Sequence, residues 1–305
     1  TNASSMIVGL NTAAAGNVNG TQVIKFESDG DGTSGLGITD LASQTIGVSG
    51  DITTSGSVFR LASASPATPN PVNFGNVRIN TATDQALSIT NTAVDDGFSE
   101  SLNASISTNG APVTASGAFN LLGPQATNGT SLHVGIDTSS AGSKSGSATI
   151  ALVSDGTGTS GLGTTNLTSQ TVNVSGDVYR LATGSASVVP VDLGAFRVGG
   201  SAPAAKNLSV TNTAANDGFS EQLGIQSANS GSSLFTATNT LGSTRVNAGV
   251  SAANAVSIGA GIGLLAGVNS GTVTIQYLSD GTVSGTGAPI DSNSQNVSVN
   301  ATGYN

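Results

Sequence analysis

Two phrases hold much of the acidic chemistry of this chain. "TNTAVDDGFSE" runs from Thr90 to Glu100, and "TNTAANDGFSE" from Thr211 to Glu221. Asp95, Asp96 and Glu100 in the first, with Asp217 and Glu221 in the second, supply the carboxylate oxygens that a hard cation such as calcium takes as ligands. The same residues also suit a structural corner. Asp96 and Asp217 would cap a turn through their own side chains, and Gly97 and Gly218 would supply a positive φ. Asp29 and Asp31, in "SDGDGTSG", start like a calcium loop, but the closing bidentate glutamate is missing and the next copy has Thr157 in place of Asp31. No cofactor is expected apart from calcium at these carboxylates.

Other chemistry finds little support. His133 is the only histidine, in "TSLHVGID". If Leu132 and Val134 point inward along a strand, His133 faces solvent. The matching strand further on has no histidine, so no Ser/His/Asp arrangement recurs. "GTGTSGLG", residues 156–163, has neither the lysine nor the following helix of a phosphate cradle and reads as a hairpin loop. With no cysteine, disulfides and thiolate metal sites are excluded. The sequons at Asn103, Asn128 and Asn166 are what an Asn/Ser/Thr-rich chain carries by chance. An enzyme is not expected.

Charge narrows the partners. Eight Lys and Arg stand against 17 Asp and Glu, for a net charge of −9. The basic residues are scattered, so nucleic acid and anionic membrane surfaces are not expected as partners. No apolar run approaches the roughly 18 residues of a membrane-crossing helix. The first residues, "TNASSM", are neither an initiator Met nor a signal peptide, so the chain reads as processed or as part of something longer.

The elements that position these residues are strands. Charged residues make up 8% of the 305, against about 25% in a typical soluble protein. Disordered chains combine low hydrophobicity with high net charge. Here mean hydropathy is +0.11 and apolar residues alternate with small polar ones. Alternation with period two between Gly, Asn and Asp turns describes β-strands. In "SATIALV", Ala148, Ile150 and Leu152 fall on one face and Thr149 and Ala151 on the other. The pattern predicts strands over 72–79, 85–91, 101–107, 117–122, 131–137, 145–153 and 170–174, and no helix.

Repetition sets the domain plan. SDG steps begin at Ser28, Ser154 and Ser279, and "VNFGNVRI" at Val72 is echoed by "VDLGAFRV" at Val191. Two full units of about 120 residues follow, at 63–183 and 184–305, near the size of an immunoglobulin-like sandwich. Residues 1–62 carry only the second half of such a unit. The expected fold is all-β: tandem immunoglobulin-like β-sandwiches in an elongated array.

"VNFGNVRINTATDQALSITNT" and "VDLGAFRVGGSAPAAKNLSVTNT" resemble the opening of the choice-of-anchor D repeats of large bacterial surface proteins, within the wider ASH-like immunoglobulin fold. The resemblance spans about residues 71–305. Asn80 departs from the glycine expected after the first strand, whereas Gly199 keeps it. The resemblance implies repeated extracellular modules at a cell surface. Partners are then neighbouring repeats or further copies of the same protein. Arg60 in "VFRLA" and Arg180 in "VYRLA" stand where one unit passes to the next and are expected to fix inter-domain geometry. Phe98 and Phe219 are expected to plug the sandwich ends.

The functional expectation is a non-enzymatic extracellular structural protein of a filament, sheath or biofilm matrix. The half unit leaves strand edges open, which a preceding segment or a neighbour's strand could complete. The alternative is an adhesin stalk or ligand-binding surface module, with residues 257–271, "SIGAGIGLLAGVNSG", as the candidate binding loop.

Overall fold

A computed structural model describes residues 6, 16–17, 20–47, 57–187 and 189–305. Residues 48–51, the end of the half-unit phrase, lie outside the described residues. Four short elements come first: β1 (Gly16–Asn17), β2 (Thr21–Asp29), β3 (Ile38–Gly47) and β4 (Ser57–Val58). β2 and β3 form an antiparallel two-stranded sheet, and β1 pairs with β4. Val23, Phe26, Leu36, Ile38 and Leu41 of the hairpin are exposed. Among the described residues no second layer covers this hairpin to bury them.

Unit one comprises β5 (Val72–Arg78), β6 (Gln85–Thr90), β7 (Ser101–Thr108), β8 (Val113–Ser116), β9 (Ala118–Leu122), β10 (Thr127–Ile136), β11 (Gly142–Asp155), β12 (Thr164–Asn166) and β13 (Gln170–Tyr179). One sheet has the order β6-β10-β8. The other has the order β5-β13-β11-β7-β9, with β12 added to β11. Only β5 runs parallel to its neighbour, β13. All seven expected strands are present. β8 and β12 were not foreseen, because four and three residues are too short to show a period.

Unit two repeats the plan with β14 (Gly184–Ala186), β15 (Val191–Arg197), β16 (Lys206–Asn212), β17 (Gln222–Ser230), β18 (Phe235–Asn239), β19 (Ser251–Ala260), β20 (Gly267–Asp280) and β21 (Ile290–Tyr304). Its sheets are β14-β16-β19-β18 and β15-β21-β20-β17, and β15 again lies parallel to the last strand. The chain is all-β: two immunoglobulin-like sandwiches in tandem. In each, the first strand crosses from one sheet to the other next to a proline, Pro69 and Pro71 or Pro190. Proline has no N–H for the ladder, so pairing stops there and the chain can change sheets. The expected loop at 257–271 is mostly strand; only 261–266 connects β19 to β20.

Alternation builds each core. Ala148, Ile150 and Leu152 on β11 are buried while Thr149 and Ala151 are exposed. Val273, Ile275 and Tyr277 on β20 do the same. Each fully buried Leu or Ile contributes about 1.5–3 kcal/mol. With so few charges in the chain, this burial carries the fold.

One pair of positions shows how the two cores were fitted differently. Tyr277 is fully buried, and a Cβ on Gly184 would come within 2.4 Å of its ring. At the corresponding places unit one has Leu152 and Ala64. The large ring is accommodated by removing a methyl from the facing strand. Gly184→Ala is therefore expected to cost about 1–3 kcal/mol by overpacking. The cost should shrink in the Tyr277→Leu background, giving a coupling of about 1 kcal/mol in a denaturation cycle. Additive losses would show that the two positions do not share space.

Tyr277 donates its hydroxyl to Gln295 Oε1 at 3.1 Å, and burial raises its pKa from 10.0 to about 12. The unfolded chain loses this proton first. Stability from Tyr277 is therefore complete below pH 10 and lost as pH rises towards 12. Unfolding measured across that window should fall less steeply in Tyr277→Phe than in the native chain.

Candidate functional site

The repeated acidic phrase forms the same corner twice. An asparagine organises it. Asn91 and Asn212 are fully buried. Asn91 Oδ1 accepts from the N–H groups of Ser63 and Ala93, and its Nδ2 donates to the carbonyls of Glu100 and Leu122. Asn212 accepts from Thr183 and Ala214 and donates to Glu221 and Val246. Both amides use their donors and acceptor on the backbone, pinning three chain segments at the ends of their strands.

Around this hub the acidic residues divide their work. Asp96 Oδ1 accepts from the Phe98 N–H at 3.0 Å, and Asp217 Oδ1 from the Phe219 N–H at 3.0 Å. These are Asx turns, with Gly97 and Gly218 at φ 81 and 87°. The other face of each carboxylate meets an arginine: Arg60–Asp96 and Arg180–Asp217, each at 2.7 Å. The arginine in each pair, then the turn N–H, holds the aspartate below the usual carboxylate range. Asp95 is exposed, and Asn216 occupies its place in unit two.

Glu100 and Glu221 point elsewhere, into a pocket roofed by the SDG loops. Ser154 donates to Glu100 Oε2 at 2.7 Å and Ser160 to Oε1 at 2.6 Å. Ser279 donates to Glu221 Oε2 at 2.6 Å, and Thr286 donates to Oε1. The serine hydroxyls are themselves fixed, accepting from the N–H of Ala62 and Ala182 at 2.7 Å. Gly156 and Gly281 leave the necessary room, since a Cβ there would lie 2.5 and 2.7 Å from the glutamate oxygens.

The expected calcium set therefore does not come together. Among the described residues no three His, Asp or Glu side chains converge as metal ligands. Aspartate and glutamate of one phrase face different partners because the Asx turn directs Asp96 and Asp217 outward to arginine. Glu100 and Glu221 pass beneath the loop. Asp29 accepts from the Asp31 N–H at 2.9 Å, a turn bond of the same kind.

Arg60 and Arg180 each tie a connecting segment to the corner of the unit that follows it. The aromatic residues do the same. Phe98 rests against Phe59 at 5.8 Å and Phe219 against Tyr179 at 5.7 Å. Both corner rings are half-buried on the connector, not plugs of the sandwich cores, because the turn ahead of them sits outside the sheets.

The residue that crosses between the sandwiches is Arg78, the last of β5. Its Nε donates to Glu221 Oε1 at 2.7 Å and its Nη2 to the Ala288 carbonyl at 2.7 Å. Asn76 adds a bond from Nδ2 to the Ser284 carbonyl at 2.6 Å. Side-chain exposure is 16% for Arg78 and 0% for Glu221, against 29% and 46% for Arg180 and Asp217. The inter-unit pair is thus the more dehydrated one. The sequence placed Arg78 only within the expected strand over 72–79. The available signal was that both ends recur, an arginine closing each [FL]-G-x-x-R strand and a glutamate closing each DGFSE corner.

His133 lies at the edge of any such chemistry. Its ring bonds the Thr130 carbonyl at 2.9 Å and Asp84 at 2.9 Å. The carbonyl first, then Asp84, raises its pKa.

No family model matches the chain, and no curated protein matches it. Solved structures give distant likenesses. The crystal structure of Drosophila N-cadherin EC1-4 is 8% identical, with 95% of this chain covering 58% of that one at a TM-score of 0.35. Protocadherin gamma B7 extracellular cadherin domains 1-4 are 8% identical, over 94% of this chain and 67% of that one, at 0.37. The human desmocollin-1 ectodomain is 9% identical, over 80% and 42%, at 0.31. The fold assignment rests on the strand pairing itself, which agrees with the immunoglobulin-like fold implied by the sequence resemblance.

Breaking a buried pair leaves an uncompensated charge, at about 3–5 kcal/mol. Arg78→Ala is expected to lose stability on that scale in denaturant unfolding. Arg78→Lys should recover only part, since an ammonium cannot copy the fork that spans Glu221 and Ala288. Arg180→Ala should lose less, because its partner is hydrated. Equal losses at Arg78 and Arg180 would refute this ranking.

Proposed function

We propose that this chain is a non-enzymatic structural protein of the extracellular space, contributing tandem sandwiches to a filament, sheath or matrix. The observation that carries this reading is the seam itself. Arg78 of unit one bonds the buried Glu221 of unit two directly. Such a contact makes one sandwich the foundation of the next. It is the kind of chemistry an array needs and a catalytic cleft does not.

Two further features support it. A surface of Ser, Thr, Asn and Gly with 8% charged residues offers little electrostatic resistance to lateral packing. The exposed β2–β3 hairpin offers open edges on which another strand can add. The setting that the sequence resemblance implies is a bacterial surface.

A second reading, an adhesin stalk or surface-binding module, is favoured by one feature of unit two. The 261–266 connection and the start of β20 expose Ile262, Leu265 and Val268. Exposed apolar residues grouped in this way suit a binding patch.

Negative-stain microscopy and surface fractionation of the native protein test the first reading. Linear or sheet-like assemblies in the surface fraction are the expected result. Dispersed particles at every concentration, together with an intracellular location, would overturn it.

A further inference from the structure

The two sockets share two hydroxyl donors and differ in their cation. Glu221 has two hydroxyls and a guanidinium; Glu100 has two hydroxyls. Glu100 is only 3% exposed, and among the described residues no cation pairs with it. Neutral hydroxyls satisfy part of a buried carboxylate's demand, but the charge itself is best met by an opposite one. A Cβ on Gly281 would meet the Arg78 Nη2 at 2.7 Å beside Glu221, whereas the three nearest atoms to one on Gly156 belong to Ser160 and Glu100 alone.

The direction from which a guanidinium would arrive follows from strand register. β5 lies parallel to β13 with Arg78 opposite Tyr179, and β15 lies parallel to β21 with Arg197 opposite Tyr304. In both units the arginine ends the strand at the foot of the sandwich. Tyr179 directly precedes Arg180, as Phe59 directly precedes Arg60, and each aromatic residue rests on the corner phenylalanine of the unit that follows. Phe59 thus stands to Glu100 as Tyr179 stands to Glu221. Val58 pairs with Gly16 as Val178 pairs with Gly142, which sets Phe59 at the place of Tyr179.

We propose that Glu100, Ser154 and Ser160 form an arginine-binding socket. Its occupant is the terminal guanidinium of a strand of the V-x-[FL]-G-x-x-R type from a further repeat. That strand places its arginine opposite Phe59, as Arg78 lies opposite Tyr179. The inference rests on the geometry of the seam and holds whether or not the chain forms filaments.

The probe is a fluorescently labelled synthetic peptide, VNFGNVRI, copied from residues 72–79. A second peptide carries citrulline, the uncharged isostere, in place of its arginine. Binding of both to the full chain is followed by anisotropy. The arginine peptide should bind, and the citrulline peptide should bind about tenfold or more weakly, the scale of one charge-assisted contact. Glu100→Gln should remove that difference, with its thermal unfolding recorded to confirm that it folds. If it does not fold, the comparison of the two peptides on the native chain decides. Equal binding of both peptides would mean strand addition without a guanidinium site, and no binding of either would mean no open site. Both outcomes overturn the proposal.

Discussion

A carboxylate removed from water has to be met by donors or by a cation, and in this chain that requirement sits at the foot of each sandwich. Glu221 is fully enclosed, and the groups that answer it come from three places: Ser279 at the end of β20, Thr286 in the loop beyond it, and Arg78 from the preceding unit. A hydrophobic contact in the same place would slide, whereas an arginine fork with two fixed acceptors holds one orientation. The seam between the units therefore derives its specificity from a single dehydrated charge pair. The exposed arginines on the connectors act as outer braces.

The corner that delivers the glutamate is held by Asn91 and Asn212. Asn91 and Asn212 stand where the strand ends, and the backbone that follows leaves the sheet. A buried amide with four partners replaces the missing ladder. The Asx turn then directs the aspartate outward to the connector, and the chain passes on to send the glutamate inward. One phrase of eleven residues thus serves both the connector and the seam, which accounts for its near-verbatim repetition.

Unit one and unit two solve the same problem with different amounts of help. Asp280 is braced by Arg245 at 2.6 Å, where the corresponding Asp155 takes a neutral bond from Asn103. Ser220 bonds the Ala215 carbonyl and Arg180, whereas the buried Ser99 hydroxyl has no partner among the described residues. At this corner, unit two, with a neighbour on its socket, is the more fully satisfied of the pair; the buried Ser232 and Asn300 side-chain oxygens, without partners among the described residues, lie elsewhere in it.

The strands were legible in the sequence because alternation is local: each residue's face depends on its immediate neighbours. The two-unit plan was legible because repetition needs no geometry. The glycines of the corner and the aspartates that cap it were legible for the same reason, since an Asx turn closes within three residues. Several things were not. Which carboxylate meets which arginine depends on segments 143 residues apart, so a calcium set and an ion-pair seam looked alike. Whether Phe98 enters a core or rests on a connector depends on where the sheet ends. The match of Gly184 to Tyr277 depends on two strands that touch only after the sandwich closes. Sequence by itself determined the longer strands and the number of repeats, through short-range patterns and repetition. Tertiary structure alone decided the pairings between them, because burial and charge compensation are properties of surroundings that the chain assembles only by folding.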